Sequence, residues 1–122
     1  MKITTAGLIL FTSHYQACVD FYRDCLRLRL LHSINRSGET LSTFDLGGAY
    51  LMIEPAEDLA APLARLPLKL RFNVPDIKAS CEDLRQRGVE VRLLHHGWGS
   101  TAEFCDPAGT RCALRSDAGF GV

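Results

Sequence analysis

Residues Glu103–Arg115 read EFCDPAGTRCALR. The stretch is a strand, a tight turn and a second strand. Asp106-Pro107-Ala108-Gly109 supplies the turn chemistry, because proline presets one φ angle and glycine accepts a positive one. Whether the second strand carries chemistry or only packs depends on its middle residue, Ala113.

The same design occurs earlier in the chain. Gly47-Gly48 punctuates a strand at Thr40–Asp45 and another at Ala49–Ile53. Upstream lie a strand at Ile3–Thr12, a helix running to about Leu26, and a strand at Arg29–Ile34. Ser13 as N-cap with Gln16 three residues on reads as a capping box. Cys18, Phe21, Tyr22 and Cys25 form the apolar stripe of that helix. Before the hairpin of the opening stretch lie a strand at Leu68–Val74 and a helix opened by Pro75-Asp76. That helix carries Ile77, Cys81 and Leu84 on one stripe and closes at Gly88, and a strand follows at Val89–Leu94.

The order is therefore βαβββ twice, an α+β architecture of two tandem modules forming a curved mixed sheet. A constant shift of 62 residues carries His14 to Asp76 and Gly47 to Gly109. Module 1 covers about residues 1–55 and module 2 about 67–116, within a single domain spanning 1–122. The alanine-rich Glu57–Leu66, between Pro55 and Pro67, reads as a short helical linker, and 117–122 as a tail. Two such units can share a core and leave a concave cleft between them.

With 14 basic and 14 acidic residues, no overall charge draws the chain to nucleic acid or membrane, and no apolar run reaches spanning length. Five cysteines, an odd number without a C-x-x-C, read as reduced thiols packed as small apolar residues in a cytoplasmic protein.

The pattern resembles the vicinal oxygen chelate superfamily, which includes glyoxalase I, bleomycin-resistance proteins and extradiol dioxygenases. The residues that carry the resemblance are DFYRDCL at Asp20–Leu26, FDLGGAYLMIEP at Phe44–Pro55, RGVEV at Arg87–Val91 and FCDPAGTRCAL at Phe104–Leu114. WGSTAEFCDPAG at Trp98–Gly109 is closest to the bleomycin-resistance branch. The resemblance implies a two-fold homodimer, sometimes with modules exchanged between chains.

It also implies four metal-ligand positions, on the first and last strand of each module, where enzymes of the family carry His, Glu or Gln. Counting from the helix openings and turn glycines, those positions fall on Gly7, Leu51, Lys69 and Ala113. Glycine and alanine offer no side-chain donor, leucine is apolar, and lysine is a cation. The expectation is no bound metal and no cofactor. Glu54, three residues from Leu51, is placed on the opposite face, and His95-His96 is read as loop.

Strand alternation then assigns the cleft. Leu70, Phe72 and Val74 face the helices, and Lys69, Arg71 and Asn73 face the cleft. Cys112 and Leu114 pack inward, and Arg111, Ala113 and Arg115 lie on the cleft side. The first module contributes Gly7, Ile9, Phe11, Ala49, Leu51 and Ile53. The reading is a cleft with one greasy and one cationic half, favouring a partly apolar anionic ligand. Lys69, Arg71 and Arg111 are the cationic contacts, Phe11 and Trp98 a flat wall, and Glu103 either orients a ligand amine or neutralises Lys69.

Three functions compete. The first is metal-independent small-molecule binding. The second is a metal-dependent glyoxalase-like lyase or dioxygenase. The third is metal-free chemistry with Lys69 or Glu103 as acid or base. Structural pairing weighs as heavily as ligand contact for Lys69 and Arg71, and more heavily for Arg115.

Overall fold

Alternating apolar residues between turn glycines build, in each half of the chain, four strands and one helix. The computed structural model describes residues 1–57 and 63–117. It divides into two compact units, Met1–Ala60 and Ala61–Val122.

The first unit contains β1 (Ala6–Thr12), α1 (Tyr15–Asp20), β2 (Leu30–Arg36), β3 (Glu39–Asp45) and β4 (Ala49–Pro55). Its sheet has the order β1-β4-β3-β2. β1 runs parallel to β4, and the other pairs are antiparallel. The second unit contains β5 (Leu70–Val74), α2 (Ile77–Gln86), β6 (Arg92–His96), β7 (Gly99–Cys105) and β8 (Arg111–Ser116). Its sheet repeats the plan as β5-β8-β7-β6, with β5 parallel to β8. The two tandem βαβββ modules of the α+β fold are thus present.

Local differences from the sequence reading have physical causes. β1 begins at Ala6, three residues later than expected. The Ser13 capping box does not form. His14 is the N-cap of α1, its amide donates to Thr12 Oγ1 at 2.9 Å, and the Gln16 amide bonds Asp20 instead. Past Asp20 the helix widens into a π-helical turn at Phe21–Cys25, with the Leu26 amide donating to the Phe21 carbonyl at 3.1 Å. By contrast α2 has the expected cap, with Asp76 accepting from the Ala79 amide at 3.1 Å. His95 and His96 end β6 rather than lying in a loop. Of the expected helical linker, Leu63–Arg65 is one 3-10 turn, and the preceding positions 58–62 lie outside the described residues.

The core of each unit sits on one face of its sheet. In the first, Phe44, Leu51 and Ile53 are almost completely buried with Cys18 and Tyr22 of the helical segment. Tyr22 and Phe44 rings lie 6.4 Å apart, and the Tyr15 hydroxyl meets Ser42 Oγ at 2.7 Å. In the second, Leu70, Ala102, Phe104, Cys112 and Leu114 share the face that packs with the α2 stripe Ile77, Cys81 and Leu84. Cys18, Cys81 and Cys112 are buried as expected, whereas Cys105 is exposed.

This packing corrects the phase of β4. Leu51 is paired with Leu8 and Phe44 and faces the helix, as does Ile53. The residues that share a face with Gly7, Ile9 and Phe11 are Tyr50, Met52 and Glu54. Leu51 and Ile53 therefore do not join the cleft-side set and Glu54 does, while Ala49, at the start of β4, still lines the cleft. The cause is turn length: Asp45 pairs with Tyr50 across the first hairpin, but Cys105 pairs with Arg111 across the second. The second turn has one residue more, and one residue reverses every side chain of a strand. The parallel pairs slip in the same way. Gly7 faces Tyr50, but Leu70 faces Cys112.

Candidate functional site

In the first unit, the sheet face turned away from α1 forms an open cleft of about 510 Å³. Leu31, Ala49, Tyr50 and Met52 give it an apolar floor, and Arg29, His32, Thr43 and Asp45 give it a polar edge. A register shift between Leu30 and His32 bulges β2, so the adjacent residues Leu31 and His32 both reach the cleft. Arg29 and Asp45 clip its rim. The Asp45 amide donates to the Arg29 carbonyl at 2.9 Å, and the Arg29 guanidinium reaches the Asp45 carboxylate at 3.3 Å. The Asp45 carboxyl is held below the usual carboxylate range, first by the hydrogen bond from the Gly47 amide and then by Arg29. His32 Nε2 lies 3.5 Å from Thr43 Oγ1. Sequence reasoning missed this cleft because its lining comes from four separate stretches with no motif spacing.

In the second unit, the corresponding face is basic. Strand pairing puts Arg71, Arg92, Arg111 and Arg115 on the same side as Ala113 and Glu103. Lys69 joins them through an ion pair to Glu103 at 3.1 Å. The Arg111 guanidinium donates to the carbonyls of Leu66 (2.8 Å) and Leu68 (3.2 Å), tying the chain ahead of β5 to β8. Arg115 is buried, lies 4.9 Å from the Trp98 ring centre, and donates to the Trp98 and Ser116 carbonyls. His96 stacks on Trp98 at 4.5 Å with the planes 1° apart, and its Nε2 meets Thr101 Oγ1 at 3.0 Å. Trp98 remains half exposed.

Of the sequence-named site residues, Lys69, Arg71, Arg111, Trp98 and Glu103 belong to the second unit and Phe11 to the first. Phe11 stands half exposed on β1, opposite Glu54.

The four positions matching the family's ligands do not fit a divalent ion. The Tyr50 ring covers Gly7, Leu51 faces the helix, Lys69 is engaged by Glu103, and Ala113 is a buried methyl. Correcting the β4 phase brings Tyr50, Met52 and Glu54 to that face. The first two are a phenol and a soft thioether, and of the three only Glu54, opposite Phe11 near the end of the strand, carries the carboxylate a hard or borderline ion takes. Among the described residues no group of three or more His, Cys, Asp or Glu is placed to hold a metal. No described helix is long and apolar enough to cross a membrane.

The fold is shared widely. TnmS3, an antibiotic-binding protein from a Streptomyces species, superposes with a TM-score of 0.72 at 21% identity, over 95% of each chain. A lactoylglutathione lyase from Agrobacterium tumefaciens gives 0.72 at 18% identity over 96% of each. A glyoxalase family protein from Enterococcus faecalis gives 0.72 at 24% identity, covering 93% of this chain and 96% of its own. No curated protein matches the sequence. The family model for these proteins matches residues 4–114, so the repeated modules, the shared fold and the sequence agree: the chain belongs to the Glyoxalase/Bleomycin resistance protein/Dioxygenase superfamily.

Proposed function

We propose that the protein binds small, partly apolar anionic molecules without a metal ion, on the face of each unit's sheet turned from that unit's own helix. The observation that carries this reading is the first unit's 510 Å³ cleft, with its apolar floor and polar rim. That volume lies in the range of small-molecule sites, which combine apolar walls with a few placed polar groups. The preference for an anion rests on the second unit's face taken by itself, where Lys69, Arg71, Arg92, Arg111 and Arg115 stand with Glu103. Lys69, Arg111 and Arg115 are engaged within the unit, so the attraction comes from the summed field more than from any one contact. The likeness to TnmS3 supports a binding role, and the poor fit of the four ligand positions supports metal independence. A two-fold homodimer completes the proposal, tested by light scattering.

The main test is calorimetric titration of chelator-treated protein with aromatic carboxylates, phosphates and neutral analogues. Saturable binding that favours the anions and is unchanged by the chelator is expected. Stoichiometric nickel, zinc, manganese or iron in the purified protein, with lyase or dioxygenase turnover restored by that ion, would overturn the reading in favour of metal-dependent catalysis.

A further inference from the structure

We propose that Tyr50 is the specificity-determining wall of the first unit's cleft, and that Gly7 lacks a side chain in order to hold it there. The inference rests on the cleft being the ligand site. A Cβ built on Gly7 would lie 2.4, 2.5 and 2.6 Å from Cδ1, Cε1 and Cγ of Tyr50, so the ring lies across the Gly7 backbone. Gly7 is not among the glycines with positive φ, and it lies inside β1. Its backbone conformation is open to any residue, and glycine in a strand interior is unfavourable unless something approaches closely. The approaching group here is the Tyr50 ring.

On this face Tyr50 sits between Gly7 of β1 and Asp45 of β3. Leaning over Gly7 takes the ring away from the Arg29–Asp45 clip and keeps the cleft open beside it. A side chain at position 7 would push the ring towards Asp45 and Thr43, into the space a ligand needs. The cleft's shape is thereby set by one aromatic side chain and one missing methyl. Tyr50, Met52 and Leu31 offer a flat apolar surface beside the polar groups of Arg29, His32, Thr43 and Asp45. That arrangement suits a planar aromatic ligand with hydrogen-bonding groups along one edge.

The test uses the full chain and two probes, anilinonaphthalene sulfonate and its bulkier bis form, with binding read by probe fluorescence. Gly7→Ala is expected to weaken the smaller probe about tenfold or more, the scale of a lost fit in an apolar pocket, with circular dichroism unchanged. Tyr50→Ala is expected to shift preference towards the bis form by a similar factor. The double variant is expected to behave like Tyr50→Ala alone, because the clash is gone. If Gly7→Ala fails to fold, recovery of folding in the double variant carries the same conclusion. Unchanged binding in Gly7→Ala, or a double variant no better than Gly7→Ala, overturns the inference alone. No binding of either probe to the unsubstituted protein overturns the cleft as the ligand site, and the inference with it.

Discussion

On the sheet face turned from the helix, the first unit carries Gly7, Ile9, Phe11, Tyr50 and Met52, whereas the second carries Arg71, Arg92, Arg111 and Arg115. On the helix side the two agree: Phe44, Leu51 and Ile53 in one, Phe104, Cys112 and Leu114 in the other, all buried. Residues that bury apolar area against a helix are constrained by packing density. Residues on the far side are not, so the two copies of one architecture can present different chemistry there.

The largest effect that could break this comparison lies in β4. Leu51→Ala should cost about 2–5 kcal/mol in urea unfolding, as expected for a core leucine. Met52→Ala should cost about 1 kcal/mol or less, because the side chain is only partly buried. Equal costs would mean that the phase of β4 is wrong. Next is Arg115, whose buried guanidinium joins Trp98 and Ser116. Arg115→Ala should cost about 1.5–3 kcal/mol and alter the emission of Trp98, the chain's one tryptophan. An unchanged spectrum would remove the stack from the account of the second unit. The two helix starts give a smaller contrast: Asp76→Ala should cost about 1 kcal/mol, and Ser13→Ala no more than about 0.5 kcal/mol, since Ser13 makes no cap. The smallest effect is electrostatic. Asp45 has a depressed folded-state pKa, so its contribution is complete above the unfolded value near 3.8 and is lost as pH falls through the folded one. Asp45→Asn should flatten the acid limb of the stability curve below about pH 4, read by thermal melts. An identical limb in the variant would rule that contribution out.

The repeated element order was legible because glycine and proline mark turns and because two-residue alternation marks strands. Ile77, Cys81 and Leu84 were legible as a buried stripe because α2 is a regular helix with an Asp cap. The π-helical turn was not, since a widened turn leaves the same apolar residues in nearly the same order. The phase of β4 was lost in the hairpin. A count from the turn glycine lands correctly on Ala113 but on the wrong face at Leu51, because the two turns differ by one residue. Ser13 misled because the helix begins one residue later than the capping box requires: His14 is the N-cap, and its amide donates to Thr12 Oγ1, so Ser13 lies outside the capping position. The basic face was visible in KLRFNV and RCALR, but Arg92 was not placed on it until pairing with Glu103 fixed its side.

The parallel closure of each sheet also bears on how the chain is made. β1 finds its partner only when β4 emerges, since Gly7 pairs with Tyr50. At typical synthesis rates that gap is roughly two to nine seconds. Throughout that interval Leu8, Ile9 and Phe11, which remain half exposed even after folding, form an apolar segment with no strand to join. The β2–β3–β4 meander closes through short hairpins, so β1 must dock last in its unit. Slowing translation before β4 should therefore increase misassembly more than an equal pause after it.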